Sequence, residues 1–413
     1  MIDTTHDPAL RSWVESANLP DIDFPIQNLP YATFRRPGEE RPRLGIAIGD
    51  MLLDATAALD LPSMRSVMAM SRTARAEIRQ TVSHYLAHYS TGVERYLHPI
   101  SEVELLLPCD IPDYTDFYAS IHHATNVGRM FRPDNPLLPN YKWMPIAYHG
   151  RASSVVASGT EVRRPWGQIV SDPAGPPVYA PSRLLDYEIE LGAFLGPGNP
   201  IGEPIPIAEA ENHLFGVCLL NDWSARDIQS WEYQPLGPFL GKNFATSISP
   251  WVVTMQALEP FRCASPPRPE GDPSPLPYLR SPEDSACRIT LEVWIRSSSM
   301  PKPTRVSHGD FSSMYWTLPQ MVAHHSSNGC PLRPGDLIGS GTVSGPEKQN
   351  RGCLLELTWR GAEPLALPSG EIRRFLEDGD EVILKGFCEA PGFCRIGLGE
   401  CRGVILPAVA AAS

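Results

Sequence analysis

Two glutamates, Glu188 and Glu190, stand one residue apart inside the otherwise apolar run LLDYEIELGAFLG (184–196). On a strand, residues i and i+2 share a face, so this spacing predicts two carboxylates side by side. Two like charges on an apolar strand are costly to bury. Either the strand shows them to water, as most glutamates are shown, or they hold a divalent cation, because hard cations recruit several oxygen ligands. A cation would need further carboxylates, and the chain has candidates. Asp222 ends the apolar approach FGVCLLND (215–222), and Asp116 lies in DYTDFYASIHHATNVGRMFR (113–132) with Tyr118, His123 and Arg132.

A histidine is the default general base near neutral pH, and such a base needs a carboxylate to orient it. Spacing does not say which carboxylate serves His123, and a surface or structural histidine is the competing assignment. Glu356 in LLELTW is a candidate orienter, read here as part of an apolar strand. Asp222, Arg226, Gln229 and Tyr233 follow one another at spacings of four, three and four, one helical face. Arg, Gln and Tyr together suit an anionic, oxygen-rich substrate, although a solvated helix face has the same pattern. Lys242 in FLGKNFATS is either a solvated lysine or a cation held near developing negative charge. Thr342 in GSGTVSG is either a turn residue or a polar contact to a ligand.

The elements that would position these residues are mostly short strands. LLDYEIELGAFLG, SPWVVTMQAL (249–258), RITLEVWIRS (288–297), LLELTWRG (354–361) and EVILKGFCEA (381–390) are β-rich, with alternation in places. The helices predicted among them are 224–233, opened by a capping box at Ser224 and Asp227, and 314–326. Residues 22–56 read as strands with a hairpin turn at Gly49-Asp50, and 62–98 as helical. The Pro-punctuated LLLPCDIPDY (105–114) divides an N-terminal module, 1–108, from a larger domain, 109–413. Residues 262–285, rich in proline, read as a long surface loop.

Composition narrows the function classes. With 413 residues the chain has room for a large core. Its net charge of −12 argues against a nucleic-acid footprint and against anionic membranes. The 44 prolines favour short strands and structured loops over long helices. No apolar run approaches the ~18 residues of a membrane span, and the first twenty residues lack the apolar stretch of a signal peptide. The nine cysteines, an odd number with no C-x-x-C pair, read as reduced and buried in an intracellular protein. GPFLGK (237–242) is a residue short of a phosphate loop, GLGECRG (397–403) has the wrong last spacing for a dinucleotide fingerprint, and GTVSG (341–345) misplaces the serine of a nucleophile elbow.

At these residues the sequence resembles the fumarylacetoacetase family over nearly its whole length. The resemblance is carried by DFPIQNLPYATF, GIAIGD, DYTDFYASIHHATNVGRMFR, YHGRASS, RRPWGQ, LLDYEIELGAFLGPGN, FGVCLLNDWSARDIQSWEYQPLGPFLGKNFATSISPW, MYWTLPQMVAHHSSNGCPLRPGDLIGSGTVSG and FLEDGDEVIL. It implies a mainly β (α+β) protein, with a small SH3-like barrel before a β-rich catalytic domain, and a cytoplasmic homodimer. It implies calcium (Ca2+) on Asp116, Glu188, Glu190 and Asp222, and magnesium (Mg2+) near Asp222, Lys242 and Thr246. Ala245 stands where the family usually has glycine, next to that second site. His123 would accept a proton, paired with Glu356; Arg226, Gln229 and Lys242 would face the oxyanion. Tyr118, Arg132, Tyr148, Gln229, Tyr233 and Thr342 would contact substrate. The implied reaction is hydrolysis of the C–C bond of fumarylacetoacetate to fumarate and acetoacetate, the last step of phenylalanine and tyrosine catabolism. A relative acting on another β-diketone or 2-oxo acid, as hydrolase, decarboxylase or isomerase, is the alternative. A binding protein that has lost catalysis is a third, opposed by the intact set of base, orienter and metal residues.

Overall fold

A computed structural model of the chain describes residues 2–89, 91–172 and 174–410. Residues 1 and 411–413, the outer ends of the two expected modules, lie outside these. Near the N-terminus, Tyr31–Arg35, Arg43–Ile48, Met51–Asp54, Leu97–Pro99 and Glu104–Leu105 form a five-stranded antiparallel sheet. The hairpin turn falls at Gly49-Asp50, where Ile48 pairs with Met51 and Gly49 takes φ +59°, a conformation glycine adopts without steric cost. The helical stretch divides into Met64–Met68 and Arg72–Ala87, each opened by a serine, Ser63 or Ser71, that accepts a backbone N–H.

The larger region has two half-barrel sheets. One runs in the order Ala147–His149, Tyr114–Phe117, Leu337–Gly339, Ile189–Leu195, Leu214–Asp222, Thr246–Ile248, Val155–Ala157. The other runs Thr304–Asp310, Thr290–Arg296, Glu381–Cys388, Ile396–Leu406, Val162–Arg163. Leu191 and Leu219 of the first, with Trp223 just past its 214–222 strand, share one core with Leu291, Leu384 and Leu398 of the second. The 189–195 and 214–222 strands are buried at every residue, which is why they read as continuous apolar runs rather than as alternation. The mainly β class expected from the sequence holds.

The N-terminal sheet also supports this frame. Ile46, Leu53, Val67 and Leu86 share a cluster with Phe194, Phe215, Leu220 and Leu337. Buried Arg75 donates to the carbonyls of Asn212 (3.2 Å) and Leu214 (3.1 Å), at the foot of the strand that ends in Asp222.

Several local expectations are corrected. Leu354–Leu357 is one helical turn, not a strand; the Asp186 carboxylate accepts the Leu354 and Leu355 N–H groups and so favours a turn over an apolar run of ambiguous period. The helix expected over 224–233 is Arg226–Glu232, because Ser224–Ala225 pairs with Leu185–Asp186. Its capping box does not form: Asp227 accepts from Ser182 Oγ (2.6 Å) and the Arg183 N–H (2.7 Å). Asp222 therefore ends a strand and does not share the helical face of Arg226. The 314–326 helix begins at Leu318, behind a capping box of Thr317 and Gln320. In SPWVVTMQAL, only Val253–Thr254 is assigned as a strand. All nine cysteines are free, but Cys109, Cys263, Cys330 and Cys394 are only half-buried. Among the described residues no helix is long and apolar enough to cross a membrane.

Candidate active site

Adjacent strands of the first half-barrel sheet each bring one polar residue to the same place. Asp116 pairs with Gly339 on one side and Tyr148 on the other; Gly339 pairs in turn with Gly192, two residues beyond Glu190; Asp222 pairs with Thr246. Carboxylate oxygens of Asp116, Glu190 and Asp222 gather within 4.8 Å of one another, all three buried. Asp116 Oδ1 and Glu190 Oε1 find no hydrogen-bond donor. Burial and the neighbouring carboxylates push the acids of Asp116 and Glu190 well above the usual carboxylate range. Gly339 leaves the space open: a Cβ there would lie 2.5 Å from Asp116 Oδ1 and 3.0 Å from Glu190 Oε2. Buried like charges with unsatisfied oxygens and a side-chain-free wall fit a hard divalent cation held by Asp116, Glu190 and Asp222.

Glu188 faces otherwise. It precedes the 189–195 strand and its carboxylate meets Lys242 Nζ on one oxygen and Arg226 Nη1 on the other (2.8 Å), with His123 Nε2 3.7 Å away. Burial works to raise its acid, but Lys242 and Arg226 outweigh that and hold it ionised. Lys242 also meets Asp222 Oδ2 at 2.7 Å. Burial opposes its charge, and Asp222 and Glu188 more than restore it, so the ammonium is kept. An ammonium has no lone pair for a metal, so this side chain brings positive charge to the place where a magnesium ligand was expected. Thr246 Oγ1 donates to Asp222 Oδ1 (3.1 Å) and the Tyr148 hydroxyl to Asp222 Oδ2 (2.8 Å).

The imidazole lies next to this cluster. His123 is the third residue of the helix Ile121–Phe131, capped by Ser120, and its Nδ1 is 2.6 Å from Glu356 Oε2. Glu356 also accepts from Asn126 Nδ2 (2.8 Å), Ser344 Oγ (2.7 Å) and the Cys353 thiol (3.3 Å). Burial disfavours its charge, yet His123 and the Asn126 and Ser344 hydrogen bonds prevail and bring its acid down to about 2. An ionised Glu356 accepts a hydrogen bond from the Nδ1–H, which leaves the lone pair on Nε2, 3.7 Å from Glu188 Oε1.

A scan of family models matches residues 114–405 to the fumarylacetoacetate hydrolase C-terminal family and 27–108 to the fumarylacetoacetase N-terminal family. The chain belongs to the fumarylacetoacetase family. Curated fumarylacetoacetases from Bos taurus and Homo sapiens are each 49% identical to it over 412 residues, covering 94% of this chain and 97% of theirs. The fumarylacetoacetase of Arabidopsis thaliana is 46% identical over 422 residues, 96% and 99% of the two chains. A solved fumarylacetoacetate hydrolase from psychrophilic Exiguobacterium antarcticum shares the fold at TM-score 0.53 and 17% identity, covering 92% and 99%. A maleylpyruvate hydrolase from Sphingobium does so at TM-score 0.51 and 15% identity, covering 92% and 100%.

Of the residues the fumarylacetoacetase resemblance implied, the structure brings together His123, Glu356, Glu188, Glu190, Asp116, Asp222, Arg226, Lys242, Thr246 and Tyr148. Gln229 joins through Arg226 Nη1 (3.3 Å). The Tyr118 ring meets that of His123 edge-on at 5.3 Å. Arg132 closes the His123 helix, with Nη2 3.5 Å from the Pro136 carbonyl and Nε without a partner. Thr342 is buried with its hydroxyl unpaired, and half-buried Tyr233 closes the Arg226 helix. No hydrogen bond joins these last three to the cluster; the buried Arg132 Nε and Thr342 hydroxyl have no partner within the fold. Asn126, Ser344 and Asp186 were missed from the sequence. Asn126 lies three residues after His123 on one helix face, and Asp186 extends the alternation to D-x-E-x-E, so both carried a signal. Ser344, brought from a distant loop, carried none.

Proposed function

We infer that this chain hydrolyses the C–C bond of 4-fumarylacetoacetate, giving fumarate and acetoacetate. The observation that carries the reading is the near-full-length match to fumarylacetoacetases, at 49% identity. The geometry supplies the chemistry. His123 Nε2 accepts a proton from water while Glu356 holds the ring and balances the imidazolium. The hydroxide adds to the ketone carbon beside the fumaryl double bond. Arg226, Lys242 and Gln229 donate toward the oxyanion that develops, in a buried site where such donors act strongly. The tetrahedral adduct expels acetoacetate as its enolate, and the imidazolium returns the proton to that carbon. Fumarate leaves as the new acid and releases its proton to solvent.

Asp116, Glu190 and Asp222, with Glu188 alongside, would hold a divalent cation, calcium in this reading. When bound it would supply a Lewis acid that chelates and polarises the two diketone oxygens. A second cation, magnesium, would fall near Asp222 and Thr246. Arg132, Tyr118, Tyr148, Tyr233 and Thr342 would hold the substrate's terminal carboxylates and chain. The proline-punctuated boundary at 105–114 and the family resemblance support reading 1–108 and 109–413 as two domains; the resemblance supports a cytoplasmic homodimer, and the net charge of −12 argues against nucleic-acid and membrane partners. NMR of the purified protein with fumarylacetoacetate tests the reading. Equimolar fumarate and acetoacetate, lost on chelation and restored by calcium, are expected. No turnover by calcium-loaded protein would refute it.

A further inference from the structure

Asp186 lies between the two halves of the site and is fully buried. It sits on the short strand Leu185–Asp186, opposite Ser224. Its Oδ2 accepts Arg226 Nε (2.9 Å) and the Leu355 N–H (3.0 Å), with Arg226 Nη2 2.8 Å away. Its Oδ1 accepts the Leu354 N–H (2.8 Å) and the Tyr187 N–H (2.9 Å). A carboxylate has about four acceptor positions, and this one has filled them. One set of bonds pins the Nε edge of Arg226 and leaves Nη1 for Glu188 and Gln229. The other set anchors the turn 354–357, whose N-cap Cys353 provides no side-chain cap, and so fixes where Glu356 meets His123.

We propose that Asp186 is a positioning residue for the hydrolysis, setting the Arg226 guanidinium and the Glu356 turn in one relative position. This rests on the hydrolase reading above. Through Asp186, the cation that faces the oxyanion and the carboxylate that orients the base share a single support. A brace that only held the fold would affect stability and spare kcat in whatever remained folded. A positioning group lowers kcat in the folded enzyme and acts through its two partners.

The test uses the full-length, metal-loaded protein with Asp186→Asn, close to isosteric but uncharged. In folded variant, kcat falls roughly 10–100-fold, the range for groups that orient a catalytic side chain, with KM within about threefold of wild type. The same substitution made on Glu356→Gln or on Arg226→Gln costs less, because one of the two partners it acts through is already gone, and it costs least where both are replaced. A kcat within about threefold of wild type, or losses that multiply in both backgrounds, would overturn the proposal. Should Asp186→Asn not fold, Asp186→Glu keeps the charge and displaces the carboxylate by one methylene; an unchanged kcat there overturns it equally. A crystal structure of the variant separates this proposal from the hydrolase reading. Arg226 and Glu356 in their wild-type places would refute the role of Asp186 whatever the substrate is. Both displaced, in a protein whose wild type does not hydrolyse fumarylacetoacetate, would support Asp186 and refute the hydrolase reading.

Discussion

Glu356 and the Asp116–Glu190–Asp222 cluster are buried alike and treated in opposite ways. Glu356 has four donors around it and is held ionised, its acid brought down to about 2. Asp116 and Glu190 each keep an oxygen without a donor, and their acids are raised. The protein completes the coordination of Glu356 and leaves that of Asp116 and Glu190 open. A group that orients a base must already be in place before substrate arrives. A group that holds a cation must leave its lone pairs free for it.

The comparison breaks first at His123. His123→Ala removes the proton acceptor but touches none of the three clustered carboxylates. Turnover is expected to fall at least about 10³-fold, within the range for general acid–base groups, while calcium binding by calorimetry stays near wild type. Loss of calcium binding together with turnover would show that the two regions are one. Glu190→Gln does the reverse. It should weaken calcium on the order of 100-fold or more, since a charged ligand is lost from a small set; unchanged affinity by calorimetry would remove Glu190 from the ligand set.

These two regions were unequally legible in the sequence. The carboxylates of the cluster stand on buried strands, where period-two spacing and an acid in an apolar run are local signals. Glu188 showed the limit of that signal: spacing put it beside Glu190, yet Lys242 and Arg226, 54 and 38 residues away in sequence, draw its carboxylate elsewhere. The orienter of His123 was harder still. LLELTW read as a strand, whereas it is a helical turn whose first N–H groups are taken up by the Asp186 carboxylate, 168 residues from Leu354. The mainly β class was legible because short apolar runs bounded by proline and glycine predict strands whatever their partners. Sheet order, and hence which residues meet, depends on contacts distant in sequence.

Acid stability sharpens the contrast by its sign. A carboxyl depressed in the fold stabilises it above the ordinary range, near 4.3, and that contribution is lost as pH falls through the folded value. Glu356, at about 2, belongs to this class. A raised carboxyl stabilises the fold below the ordinary range, and its contribution is lost as pH rises through the raised value. Asp116 and Glu190 belong to this class in chelator. Urea unfolding at pH 7 in chelator should therefore find Glu356→Gln less stable than wild type by roughly 1–3 kcal/mol and Glu190→Gln more stable by about 1 kcal/mol. Both differences should shrink as the pH is lowered toward 3. The same sign for both variants at pH 7 would dissolve the distinction.

Tyr148 tests the boundary of the open cluster, and the smallest effect is expected there. Its hydroxyl donates to Asp222 Oδ2, the same oxygen that Lys242 approaches. Asp222 is thus the best satisfied of the three clustered acids, between the open pair and the saturated Glu356. Tyr148→Phe removes one neutral donor from an oxygen that keeps its lysine, a loss of about 1 kcal/mol or less. If that hydroxyl only steadies Asp222, calcium affinity should change by no more than about fivefold and KM should hold. If it also reaches the substrate, KM should rise while calcium affinity stays put. Calorimetry with calcium and steady-state kinetics on the same preparation separate the two. A loss of affinity as large as that of Glu190→Gln would mean that Asp222 depends on this hydroxyl to face the cation, and that the open cluster is less preorganised than its buried strands suggest.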